Sequence, residues 1–412
     1  MPHAQRRLFL ASACLAVWSS AAPAWAESNP YYYGGSLGIN RVSNIYRSVY
    51  SPNDDTVATA SLLAGINQPI GRQRVYADVN VNTNRYGKNT DLNNVGYTVK
   101  GGLDWSTIER LSGSITVDNS QALSTYTERT AEALRKKNTE NNTNLSGVVR
   151  LGLVTKYSLE AGAGYRTRRF SAEEYAQFEF DQNRFSLGLV YQPSPDLRFG
   201  VAGRLTNDKY PAYVRRGFIL VNGVPQAVAF PVDAREFERK DIDFTTRWVA
   251  SGASTLDGRI STGRSKVKQG VANDFSGVTG RITWAWQPSV KWNVTSTVSR
   301  DTGLESSFAN ANTSSEQDRI TNGLQLSANY ELTGKVFLTG SASTAKSRRI
   351  NNDVGGSRVD DRDNSFNLGA RWQYSRGITL GCQVSKSSRD SSEVIYTFDA
   401  NSYGCYGQIL LY

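Results

Sequence analysis

The sequence predicts an all-β protein: a transmembrane antiparallel β-barrel of about 18 strands (16–18), with short periplasmic turns and long extracellular loops. Three observations predict it. The chain opens on a processing signal, apolar and polar residues then alternate with period two to the C-terminus, and the connections alternate between short and long.

Arg6 and Arg7 form a positive n-region, Leu8 to Val17 a short apolar run, and Ala24-Trp25-Ala26 an A-x-A cleavage site. Residues 1–26 are thus a signal peptide, with Cys14 ordinary filler in it, and 27–412 the barrel. The apolar run is too short to span a bilayer as a helix, and nothing later reaches that length. Cleavage removes Arg6 and Arg7 and no acid, so the formal charge falls from +10 to +8. Secretion argues against nucleic acid as the partner of this basic chain and leaves an anionic membrane surface or an acidic solute.

His3 is the only histidine and leaves with the signal. The mature chain then lacks the base of a Ser/His/Asp site and any imidazole metal ligand. No enzyme, metal or cofactor is expected.

The strands read in order. Val95, Tyr97, Val99, Leu103 and Trp105 alternate with Thr98, Lys100, Gly102 and Asp104. Phe185, Leu187, Leu189 and Tyr191 oppose Arg184, Ser186, Gly188 and Val190. After Gln192-Pro193-Ser194-Pro195-Asp196 the pattern resumes with Leu197, Phe199 and Val201 against Arg198, Gly200, Ala202 and Arg204. Ile242, Phe244 and Trp248 oppose Asp241, Asp243 and Arg247. Val278, Ile282, Trp284 and Trp286 oppose Thr279, Arg281 and Thr283, and Phe366, Leu368, Ala370 and Trp372 oppose Asn367, Gly369, Arg371 and Gln373. Nearly every strand has one apolar face and no helix is available to cover it, as a barrel in lipid requires.

Short connections run over 67–72, 106–110, 192–196, 287–290, 331–334 and 375–377, and long ones over roughly 119–144, 206–236 and 307–318. Strands starting near Tyr31 leave no room for the plug of a TonB-dependent transporter. Trp105, Tyr191, Trp248, Trp284, Trp286, Trp292, Tyr330, Trp372 and Tyr374 sit beside short turns, which predicts an aromatic girdle at the periplasmic interface. In the last strand Tyr406, Leu410 and Tyr412 share a face interrupted by Gln408. Tyr403, Ile409 and Leu411 share the other, so its orientation stays open.

With polar sides inward, Lys100, Arg150, Arg166, Arg168, Arg184, Arg198, Arg204, Arg247, Arg259, Arg281, Arg319 and Arg371 line the lumen. Asp78, Asp104, Glu160, Asp243 and Asp257 share it, so cations outnumber acids and an anion-preferring substrate path is expected. The alternative is that Arg and Asp brace the barrel in pairs. Cys382 and Cys405 fall on the last two strands, where a hairpin centred near residues 393–394 brings them opposite; a disulfide and two separate thiols are the two outcomes. Residues Thr125–Lys137 read as a short helix, and Phe218–Phe230, split by Asn222-Gly223, as a protruding hairpin. Asp233, Glu236, Glu238, Asp241 and Asp243 read as a solvated acidic stretch neutralised by Arg235, Arg239 and Lys240 rather than as a Ca²⁺ site.

The C-terminal run Ser388-Arg389-Asp390-Ser391-Ser392, with Tyr396, Phe398, Ala400-Asn401 and a short final strand, resembles the β-barrel porin family that includes EpsL-type proteins of exopolysaccharide operons. Gln408 and the two cysteines depart from that pattern. The resemblance implies an outer-membrane barrel serving exopolysaccharide export and supplies no catalytic residues. The expected partners are outer-membrane lipid and lipopolysaccharide, anionic polysaccharide or small anions, the barrel-assembly machinery and periplasmic polysaccharide-export proteins. An anion-preferring small-solute uptake porin and a plugged, surface-interacting barrel are the other readings.

Overall fold

The computed structural model describes residues 29–108, 110–126, 135–152, 156–221, 224–270, 275–302, 320–351 and 357–412. The signal segment, Arg319, the 307–318 connection and most of the helix expected over Thr125–Lys137 lie outside the described residues.

The wall begins with β1 (Tyr31–Val42), β2 (Asp55–Ile70), β3 (Gln73–Tyr86), β4 (Asn94–Ser106), β5 (Leu111–Leu123) and β6 (Thr139–Leu151). It continues with β7 (Tyr157–Phe170), β8 (Phe180–Ser194) and β9 (Leu197–Tyr210). A separate hairpin follows, β10 (Tyr213–Val221) paired with β11 (Val224–Val232); Asn222-Gly223 lies outside the described residues. The wall resumes with β12 (Arg235–Ser251), β13 (Ser254–Gln269), β14 (Phe275–Ser289), β15 (Trp292–Thr302) and β16 (Ile320–Thr333). It ends with β17 (Val336–Asn351), β18 (Ser357–Gln373), β19 (Ile378–Ser391) and β20 (Phe398–Leu411).

Successive wall strands pair antiparallel, β9 bonds to β12 across the inserted hairpin, and β1 bonds to both β2 and β20. The result is a closed sheet of 18 strands. Closure satisfies every strand's N–H and C=O groups without an edge, the condition for a sheet in hydrocarbon. At the tight turn between β2 and β3, Gly71 sits at φ 59°, a left-handed position that favours glycine.

The strands run longer than their apolar alternation suggests. β9 and β12 reach Tyr210 and Arg235, and β5 and β6 reach Leu123 and Thr139, well into stretches read from sequence as loops. The ladder continues there through backbone bonds while the outward positions turn polar, as at Asn207 and Lys209, so the apolar signal stops before the strand does.

Side chains on the two faces separate cleanly. Leu37, Leu62, Ile115, Leu187, Val201, Ile242, Phe244, Ile260, Val298, Leu326, Leu368 and Val384 are exposed on the outside. A closed barrel wrapped in an apolar band, with turns at one end and loops at the other, is an integral outer-membrane protein. In β20 the register sets Tyr406 against Gly38 and Gln408 against Ser36. The open question of its orientation thereby resolves: Tyr406, Gln408 and Leu410 face in, and Tyr403, Ile409 and Leu411 face out.

At the loop end, the connections over β1–β8 pack into small cores. Ile45, Tyr46, Leu92 and Tyr126 form one, and Ala172, Tyr175 and Phe178 another. Lys136 bridges the two loops to Glu174 at 2.7 Å, and Lys137 donates to the Asn93 carbonyl at 2.8 Å. Burial pushes the Tyr46 and Tyr126 hydroxyls up in pKa, so both stay neutral donors.

Candidate solute path through the lumen

The inner wall divides into a charged arc and a neutral one. In the charged arc, from β6 to β14, Arg150 and Arg198 both hold Glu160, at 2.9 and 2.8 Å. Arg168 bonds Glu140 at 2.9 Å and lies over the Phe170 ring. Arg166 lies over Phe180 at 5.4 Å, and Arg184 is the register partner of Gly164 and Thr206. Arg204 reaches Asp241 at 3.0 Å and Asp243 at 2.9 Å, and Arg247 lies 3.4 Å from Asp257. Register places Arg198 directly opposite Arg247, and Arg259 directly opposite Arg281. Like charges opposed across a ladder are destabilising unless acids, water or anions screen them, and Glu160 and Asp257 each screen one member of the first pair.

Outside this arc, Lys100 sits 3.8 Å from Asp118 and Arg371 lies over the Phe337 ring at 4.7 Å. From β15 through β20 to β1 the middle of the wall is hydroxyl and amide. Ser343 bonds Ser365 at 2.7 Å, Asn367 donates to Ser341 at 3.2 Å, and Ser402 donates to Asn40 at 2.9 Å.

Sequence reasoning missed part of the charged set. Arg239, assigned to a solvated stretch, is wholly buried inside: its Nε donates to both Asp241 oxygens at 2.8 and 2.9 Å, and its Nη1 donates to Thr302 at 2.8 Å. Parity carried the signal, because Arg239, Asp241 and Asp243 share a face opposite Ile242, Phe244 and Trp248. The same parity sends Glu236 and Glu238 outward, so the acids weighed as a Ca²⁺ site are split between the two faces. Among the described residues no His/Cys/Asp/Glu group is arranged to hold a metal.

The excess of cations over acids on the described wall is smaller than the sequence reading expects. Asp118, Glu140, Asp208, Asp241, Asp301, Asp361 and Asp363 join the inner face, the last bonded to Arg389 at 2.6 Å, and Arg74 adds a cation 3.9 Å from Asp104. Most lie toward strand ends where apolar partners are absent, so alternation did not assign them.

Accessibility changes with height. Toward the turns Arg150, Glu160 and Arg198 are each 31% exposed, whereas toward the loops the side chains of Arg168, Arg204 and Arg239 are 6%, 3% and 0% exposed. Inner-wall charges at the loop end are therefore covered by other protein atoms, whereas those nearer the turns stay accessible. Phe180, Tyr210 and Phe237 form an inward aromatic cluster at the upper level.

On the outside, the aromatics read from sequence lie beside the turns. Tyr191 stacks on Tyr157 at 4.9 Å, Trp284 on Trp286 at 5.5 Å, Trp292 packs on Tyr330 at 4.5 Å and Trp372 on Tyr374 at 5.4 Å. Trp248 is exposed there too, and the ring of Trp105 covers Gly113 on the next strand. Cys382 and Cys405 are register partners whose sulfurs are bonded, and both side chains point to the lipid side.

Fold and wall together define a closed, 18-stranded outer-membrane β-barrel. No protein-family model and no curated protein matches the chain, so the EpsL-type resemblance stands on the C-terminal residues alone. Solved outer-membrane barrels do. OpdK of Pseudomonas aeruginosa with vanillate aligns at 11% identity and TM-score 0.48, covering 92% of this chain and 99% of that one. OccK2 (OpdF) of the same species, in complex with glucuronate, aligns at 11% and 0.47 over 93% and 98%. The siderophore receptor PiuA of Acinetobacter baumannii aligns at 9% and 0.46 over 93% and 82%. The likeness is one of barrel to barrel and carries no functional inference.

Proposed function

We propose that this barrel is a diffusion channel for small anionic solutes, with the arginine arc from β6 to β14 as the path. The observation that carries this reading is the in-register pairing of Arg198 with Arg247 and of Arg259 with Arg281. Such pairs concentrate positive potential on one side of a hydrated passage and offer forked donors to carboxylate or phosphate. At the open level one carboxylate, Glu160, is shared between Arg150 and Arg198, which leaves local charge positive.

Burial of Arg168, Arg204 and Arg239 at the loop end supports a small solute over a hydrated polymer, because it leaves fewer wall charges accessible there. Export of an acidic exopolysaccharide is the second reading and rests on the C-terminal resemblance. The Trp and Tyr belt beside the turns would meet the periplasmic headgroups.

The test is reversal potential of the refolded mature protein in a planar bilayer under a salt gradient. Wild type is expected to be anion-selective, and Arg150→Gln with Arg198→Gln to move the reversal potential toward zero. Block by small carboxylates supports the proposal. A cation-selective pore, or block by acidic polysaccharide alone, overturns it.

A further inference from the structure

Charge on the outer face is unevenly matched. Along the loop-side rim several outward cations meet acids one to one: Arg41 with Asp54 at 3.1 Å, Arg169 with Asp181 at 2.6 Å, Arg348 with Asp360 at 3.1 Å, Lys386 with Asp399 at 2.9 Å and Lys209 with Glu236 at 2.9 Å. On β12 and β13 the outward cations cluster. There Glu238 is shared by Lys240 at 3.2 Å and Lys268 at 3.4 Å. Register adds two more cations on the same face, with Arg264 beside Lys240 and Lys266 beside Glu238. The Lys240 side chain is 75% exposed.

These residues continue the lipid-facing rows without a break. On β12 the outward row runs Trp248, Thr246, Phe244, Ile242, Lys240, and on β13 it runs Ile260, Thr262, Arg264, Lys266, while Ser261 and Ser265 between them are buried inward. At about 3.3 Å per residue and about 40° of tilt, the path from Trp248 to Lys240 climbs about 20 Å. Glu238 lies a few ångströms higher still, so the cluster meets the upper edge of an apolar band about 25 Å tall. With Trp248 beside the periplasmic turn, that edge is the outer leaflet.

We infer that Lys240, Arg264, Lys266 and Lys268 form a binding site for the phosphate groups of the outer-leaflet glycolipid, lipopolysaccharide. The position defines the occupant: a molecule touching Ile242, Phe244 and Ile260 with one part and these cations with the next has acyl chains joined to an anionic head. Soluble anions reach the lumen but have no reason to lie against the apolar rows. The lysines supply point charges, Arg264 a planar fork for a phosphate monoester, and Glu238 holds two lysines in place between contacts.

The experiment titrates the full mature barrel, refolded in detergent, with bis-phosphorylated lipid A and with dephosphorylated lipid A, and counts bound lipid by native mass spectrometry. Wild type is expected to prefer the phosphorylated form. K240Q/K266Q/K268Q is expected to lose affinity by about 100-fold, at about fivefold per lysine, while K346Q/K386Q, elsewhere on the rim, stays within about twofold. Heat-dependent gel mobility reports folding, and K266Q alone, expected at about fivefold, decides the matter if the triple variant does not fold. Equal binding of both lipids by wild type, or equal losses in the two multiple variants, overturns the inference. Neither result depends on what the lumen conducts.

Discussion

The arc from β6 to β14 and the arc from β15 to β1 share one scaffold yet hold their inner surfaces together by different chemistry. In the first, Arg204, Arg239, Asp241 and Asp243 form a network whose side chains are at most 6% exposed. In the second, hydroxyls bond hydroxyls, as in Ser343 with Ser365 and Thr321 with Ser347 at 3.2 Å. Removing one partner from a buried ion network strands a charge, whereas removing a hydroxyl loses one modest bond. The charged arc therefore carries the larger structural liability, while in the second arc the pair Arg389 with Asp363 lies toward the loop end and the middle of the wall stays neutral.

The largest expected effect separates them directly. Asp241→Ala leaves Arg239, wholly buried, without its carboxylate and is expected to cost about 3–5 kcal/mol of unfolding free energy. Ser343→Ala on the opposite wall is expected to cost about 1 kcal/mol. Denaturant titration of the folded barrel in lipid vesicles reads both. Similar costs would mean that the charged network is hydrated enough to re-pair, and the contrast between arcs would collapse.

The neutral arc has a covalent tie the charged arc lacks. Cys382 and Cys405, 23 residues apart, join β19 to β20 on the lipid side, away from the solute path. Restricting a loop of that length in the unfolded chain stabilises by about 3 kcal/mol at most, since the ladder already pairs these strands in the native state. Cys382→Ser with Cys405→Ser is expected to lower the unfolding free energy by no more than that and to leave conductance unchanged. A changed conductance would show that β19 and β20 shift enough to reach the lumen.

The fold was legible because lipid demands a strict parity. In Phe185, Leu187, Leu189 and Tyr191 the apolar face is unbroken, and the polar side follows without further information. Where outward residues turn polar, parity loses its marker. Arg239 and Asp241 then read as solvated loop, although β12 carries them into a buried network. Burial of the loop-side charges was illegible for another reason: it comes from contacts between distant segments, such as Arg239 with Thr302, which no local period encodes.

The smallest expected effect lies where charge returns at the outer edge of the neutral arc. Asp54, in the loop between β1 and β2, accepts from Lys88 at 2.6 Å and from Arg41 at 3.1 Å. The Lys88 hydrogen bond, then its charge and the bond from Arg41, hold the Asp54 carboxyl below its ordinary range. A carboxyl depressed in the folded state stabilises the loop above its unfolded pKa, and that contribution disappears as pH falls through the folded value. Hydrogen exchange over residues 43–54 is therefore expected to be slow at neutral pH and faster below about pH 4. Asp54→Asn should exchange faster at neutral pH and lose the acid-side dependence. The group is fully exposed, so high salt should weaken the wild-type protection as well. An acid-side dependence that persists in Asp54→Asn would move its origin to the buried Asp55 beside it, whose carboxylate accepts from Asn89 and Lys88.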